Sequence, residues 1–115
     1  MAIITFALTE MEFLSGRKTV TRRNWKPDYV RRWQRWWDEG RHAHDAWNGS
    51  PRTGGRFIGR FRLTCRPYWE QLVDMPEADL LAEGGMCETL ADFYRLIEKS
   101  PDDVICVVRF EKLPE

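Results

Sequence analysis

Cysteine is scarce and scattered: Cys65, Cys87 and Cys106 are the only three in 115 residues, and no CxxC occurs. An odd, unclustered set argues against a disulfide framework and offers no zinc-ligand spacing. His42 and His44, the two histidines, stand in a turn-rich stretch with no matching ligand pair. Reduced, mostly buried thiols are expected, with no metal and no other cofactor. Long apolar runs are missing as well; none approaches the roughly 20 residues that cross a bilayer. Met1 to Leu8 lacks a basic leader and a small-residue cleavage site, and polar Thr9-Glu10 follow too soon for a signal peptide. A soluble, cytoplasmic protein with no membrane partner is expected. Repeats and low-complexity tracts are absent, and the length suits a single domain spanning residues 1–115.

A net charge is lacking too, since 18 basic residues balance 18 acidic ones. The distribution is lopsided, however. Residues 16–66 hold 14 Lys/Arg against 4 Asp/Glu, whereas residues 67–115 hold 4 against 12. A basic half suits a polyanion partner; alternatively, the two halves pair within one fold.

The chain alternates short extended and helical patterns. Ile3 to Ala7 reads as a buried strand. Thr9 and Glu12 have capping-box spacing at the start of a brief helix, and Gly16 sits where a left-handed cap ends one. Lys18 to Arg22 is extended. Pro27 opens a helix with Tyr29, Trp33, Trp36 and Trp37 at helical spacing and Arg31, Arg32 and Arg35 on other sides, ending near Gly40. Residues 41–55 read as an exposed loop. From Arg56 to Arg66 the pattern alternates, with Phe57, Phe61, Leu63 and Cys65 towards a core and Arg56, Arg60, Arg62 and Arg66 on the opposite face. Short helices follow over residues 76–82 and after Thr89, where Asp92 completes a second capping box. Val104 to Phe110 is an apolar, central strand. This order lacks a βαβ rhythm and predicts an α+β fold, a small mixed or antiparallel barrel with peripheral helices.

Phe13 to Arg23 holds the densest chemistry. Gly16 lets the backbone turn closely, Lys18 supplies a point charge, and Arg22 a planar fork, which together suit an anion. Gly16-x-Lys18-Thr19-x-Thr21-Arg22 resembles the signature of the ASCH family, a G-x-K-x-x-T-x-R-like motif, and Arg23 satisfies its alternative spacing. Glu83-Gly84 and the Val104–Phe110 strand are similar to later features of that family. The resemblance implies a PUA-like mixed β-barrel with a cleft beside the motif that binds RNA or a modified nucleotide. A branch of the family resembles acetylcytidine amidohydrolases, which would place a catalytic group on Lys18, Thr21 and Glu83; ribonuclease activity is a further association. The chain departs from that branch in a long Trp- and Arg-rich insertion at about 25–55, and in Thr53-Gly54-Gly55 where relatives carry Gly-Asp.

The triad has a geometric condition. In a flat strand residues 18 and 21 face opposite ways, so a bend must bring them together. Arg17, Arg22 and Arg23 are cationic neighbours that would favour a neutral Lys18 amine. Arg56, Arg60 and Arg62 suit a phosphate backbone or, alternatively, pairing with acids from residues 70–92. Trp25 and Trp47 are candidates for base stacking, while at least two of Trp33, Trp36 and Trp37 are expected in the core. RNA, single-stranded by preference, or a nucleotide is thus the expected partner. A hydrolase in the same cleft and a protein-interaction adaptor built on the Trp-rich helix are the alternatives.

Overall fold

In the computed structural model, residues 2–114 are described, and the apolar C-terminal run organises them. Strand β6 (Val104–Lys112) buries Ile105 to Val108 and Phe110, and it is paired along both flanks. On one flank lies β2 (Val20–Arg23), antiparallel, with Thr21 opposite Val108. On the other lie β4 (Phe57–Leu63) and, beyond a short break, β5 (Tyr68–Gln71), both antiparallel to β6. Strand β3 (Ala43–Trp47) pairs antiparallel with β4, and β1 (Ile3–Thr5) parallel with β3. The order β1-β3-β4-β6-β2 is a curled, mixed sheet, a half-barrel whose outer strands β1 and β2 share no ladder.

Four helices surround it. Helix α1 (Glu10–Leu14) follows β1, α2 (Pro27–Asp38) follows β2, and α3 (Asp79–Ala82) and α4 (Leu90–Leu96) lie between β5 and β6. Proline at the first turn of α2 suits its entry, since its missing N–H has no helical partner there. Val30 and Trp33 bury α2 against the sheet, with Tyr29, Trp36 and Trp37 half-buried beside them. The main core joins these residues to Ile4, Phe6, Phe13, Phe61, Val108 and Phe110. Met75, Leu80 and Phe93 form a second, smaller cluster under α3 and α4. No helix among the described residues is long and apolar enough to cross a membrane.

Several expectations need correction. The loop read over 41–55 contains β3 and a 3-10 turn at Pro51–Thr53. β-Strand pairing with β4 overrides its weak local pattern, because the alternating side chains His44 and Ala46 are buried. Strand β5 had no expectation at all. In β4 the alternation breaks: Ala46 faces Gly59 and Trp47 faces Phe57, so Ile58 is the extra residue of a bulge. The bulge shifts the parity, burying Ile58 and leaving Phe57 about half exposed (47%). Gly59 suits that position, since its φ is +151° and a Cβ would sit 3.3 Å from the Phe13 ring. Cys65 is only half-buried. Of the two capping boxes, Thr89 Oγ1 accepts from the Asp92 N–H at 3.1 Å, whereas the Thr9 side chain makes no cap bond.

Candidate functional site

The open seam between β1 and β2 is where the chemistry gathers. Gly16, at φ +80°, ends the turn after α1. The following residues do not join β2 at once. The Lys18 N–H donates to the Glu12 carbonyl at 3.1 Å and the Thr19 N–H to the Ala82 carbonyl at 2.9 Å, so the chain is held between α1 and α3. Only at Val20 does the ladder with β6 begin. This detour supplies the bend that a flat strand lacks, and Lys18 and Thr21 border the same cleft.

That cleft encloses about 300 Å³. Its polar lining consists of Thr5, Thr9, Lys18, Thr21, Arg22, Arg23 and Glu83. Its apolar side includes Leu8, Met86, Phe93, Leu96 and Ile97, contributed by the turn after β1 and by the segment from Glu83 through α4. Sites of this size and make-up accommodate small molecules with one apolar surface and one hydrogen-bonding edge.

Lys18 is buried, and its Nζ donates to the Glu83 backbone carbonyl and lies 3.3 Å from Glu83 Oε1. Burial lowers the Lys18 pKa below that of an ordinary lysine, against the opposing pull of Glu83. Glu83 ends α3, and its other oxygen, Oε2, accepts from Arg22 Nη1 at 3.0 Å. Thr21 Oγ1 accepts from Arg23 Nε at 3.0 Å, which leaves the hydroxyl proton free to be given elsewhere. Arg23 Nη2 donates to the Thr5 carbonyl across the seam at 2.5 Å, and its guanidinium lies 5.5 Å from the Phe6 ring centre. Burial lowers the Arg23 pKa, and among the described residues no carboxylate pairs with this cation.

Arg22 stands differently. Its side chain is fully buried and meets three carboxylates: Asp79 at 2.6 Å, Glu70 at 2.9 Å and Glu83 at 3.0 Å. Burial disfavours its charge, but the hydrogen bond it donates to Asp79 and the charges of Glu83 and Glu70 prevail and raise its pKa. Asp79 also accepts from Arg109, at 2.7 and 3.2 Å, and Arg109 Nε donates to Tyr68 Oη at 2.9 Å. The fork that the sequence suggested for a phosphate is therefore engaged in holding Glu83, Asp79 and Glu70 in place.

The other residues singled out do not line the cleft. Gly16 and Arg17 are exposed at the turn, where Arg17 Nε donates to Ser15 Oγ. Trp25 is half-buried and stacks on Trp33 with ring centres 5.2 Å apart. Trp47 is half-buried on β3, and Phe57 meets it edge-on at 6.3 Å. Arg56, Arg60 and Arg62 are exposed and paired with Glu10 (2.9 Å), Asp45 (3.4 Å) and Glu111 (2.7 Å), none of them from residues 70–92. Among the described residues no three His, Cys, Asp or Glu side chains gather as metal ligands do.

Asp79, Glu70, Arg109 and Tyr68 escaped sequence reasoning. Two had a signal. Asp79 precedes Glu83 by four positions, which places both carboxylates on one helical face. Arg109 is a lone charge in an apolar strand, and a charge in a buried strand requires a partner. Glu70 and Tyr68 had none, because β5 was not recognised.

No protein-family model, no characterised protein and no solved structure matches this chain, so the geometry of the cleft is the ground for a functional reading.

Proposed function

We propose that the chain is a PUA-like domain of the ASCH kind that binds RNA or a modified nucleotide, taking one base or nucleoside into the cleft between β1 and β2. The observation that carries this reading is the convergence of Lys18, Thr21 and Arg23 with the distant Glu83 on one cleft of about 300 Å³ that is also lined by apolar side chains. A planar base would lie against Leu8, Met86, Leu96 and Ile97. Its polar edge would meet Lys18 and Glu83, which offer a donor and an acceptor side by side.

A second reading, hydrolysis of an acylated base, is favoured by the contact of Lys18 with Glu83 and by the lowered pKa of the amine. In its neutral form Lys18 would remove a proton from Thr21 or from water, and the resulting oxygen would attack the acyl carbon. Arg23 Nε, already bonded to Thr21 Oγ1, would stabilise the developing negative charge. Water is consumed overall, releasing the free base amine and a carboxylate. The proton taken up by Lys18 would pass, directly or through the Glu83 carboxylate beside it, to the leaving nitrogen.

The experiment uses acetylcytidine and single-stranded RNA with the wild type and Lys18→Ala. Both readings expect binding of acetylcytidine that the variant loses. Release of acetate by the wild type alone establishes the hydrolase; binding without turnover leaves the binding module. Absence of binding to either probe overturns both.

A further inference from the structure

We infer that the solvent face of α2 is a contact surface for the phosphate backbone of single-stranded RNA, flanking the cleft; this rests on reading the cleft as a nucleotide site. The helix is fixed in rotation by its apolar stripe. Val30 and Trp33 are fully buried, and Trp33 is packed between Trp25, Trp36 and His44, with ring centres 4.5 to 5.4 Å away. Its opposite face consists of Asp28, Arg31, Arg32 and Arg35, spaced i, i+3, i+4 and i+7, all exposed.

The pairing of these charges distinguishes α2 from the other basic surface. On β4 and just beyond it, Arg56, Arg60, Arg62 and Arg66 each meet a carboxylate. On α2 only Arg31 does, through Asp28. Among the described residues Lys26, Arg32 and Arg35 pair with no acid, and Arg32 lies 5.9 Å above the Tyr29 ring, which orients its guanidinium. Arg32 and Arg35 lie on the exposed helix face, with Lys26 at its N-cap, and unpaired cations of one sign suit a polyanion rather than a neutral or mixed surface.

The placement links them to the cleft. Lys26 follows Arg23, a cleft residue, by three positions, so their Cα atoms are within about 11 Å. Arg32 and Arg35 lie one turn apart along the same helix. A strand with one base in the cleft would carry its neighbouring phosphates onto this face. It would be single-stranded, because only an unstacked base enters so narrow a site.

The test measures binding of a short fluorescein-labelled single-stranded RNA by anisotropy across a salt series. The variants are Arg32→Ala/Arg35→Ala and, as a control, Arg56→Ala/Arg62→Ala; binding of acetylcytidine is followed alongside. Two lost phosphate contacts flatten the slope of log affinity against log salt by about 1.4 and weaken binding about 25-fold near 0.1 M salt. The control is expected to bind RNA like the wild type, and all three proteins to bind acetylcytidine equally. RNA affinity unchanged in the α2 variant, or lost only in the control, overturns the inference and leaves the cleft reading intact. So does a wild type that binds acetylcytidine but no RNA, or that prefers phosphatidylserine vesicles to RNA. Binding of neither acetylcytidine nor RNA overturns both.

Discussion

Arg22 Nη2 lies 2.6 Å from Asp79 Oδ2, joining β2 to the start of α3 across 57 positions of sequence. Asp79 binds Arg109 as well, so one carboxylate bridges two guanidinium groups. Removing its charge takes one of three carboxylates from Arg22 and the carboxylate partner from Arg109. We therefore expect Asp79→Asn to destabilise the fold by about 3–5 kcal/mol, measured by urea unfolding. A loss below about 1 kcal/mol would show the network to be dispensable.

The same carboxylate sets a limit in acid. Burial raises the Asp79 pKa, but hydrogen bonds from Arg109 and Arg22 outweigh that and hold it below the ordinary 3.8. Its native pKa is therefore depressed relative to the unfolded chain. The stability it contributes is complete above pH 3.8 and is lost as the pH falls through the lower native value. Asp79→Asn is expected to remove this portion of the acid-unfolding curve; an unchanged curve below that pH contradicts the assignment.

Lys18 gives the same sign in the alkaline range. Its native pKa is depressed by burial, so the unfolded chain holds that proton more firmly, and stability rises with pH from the native value up to 10.5. If the cleft is hydrolytic, kcat/KM for acetylcytidine also rises with pH, with an apparent pKa below 10.5 that belongs to the neutral amine. Lys18→Met is expected to abolish this limb while disturbing stability less than Asp79→Asn, because Glu83 keeps Arg22 at 3.0 Å. A pH profile identical in Lys18→Met assigns the base elsewhere.

Gly84 fixes the carboxylate from its other side. It adopts φ +133°, and a Cβ there would lie 2.9 Å from Thr9 Cγ2. Gly84→Ala is expected to cost about 1–3 kcal/mol and to weaken acetylcytidine binding, since both Glu83 and Thr9 border the cleft. Tight binding retained at wild-type stability would show that the turn has room to move.

The parts of the fold visible in the sequence were those with strong local signals. The apolar run of β6, the Pro27 entry and tryptophan spacing of α2, and the Thr89–Asp92 cap each express a preference that tertiary contacts reinforce. Strands β3 and β5 were illegible because neighbours, not propensity, define them: five and four residues, respectively, are held by ladders to β4 and β6. The bulge at Ile58 erased a clear alternation for the same reason, since register is a property of two strands. In the site, Lys18, Thr21, Arg23 and Glu83 were legible as residue types at a spacing. The bend that joins Lys18 to Thr21 was not, because it depends on the carbonyl of Glu12 across the turn and on that of Ala82 far along the chain.

A barrel normally closes on itself by a continuous run of amide hydrogen bonds, so widening it means tearing a ladder. Here one guanidinium, from Arg23 to the Thr5 carbonyl, acts as the clasp between the two free margins of the sheet. Among the described residues, parting that contact widens the rim of the cleft without breaking any strand pairing.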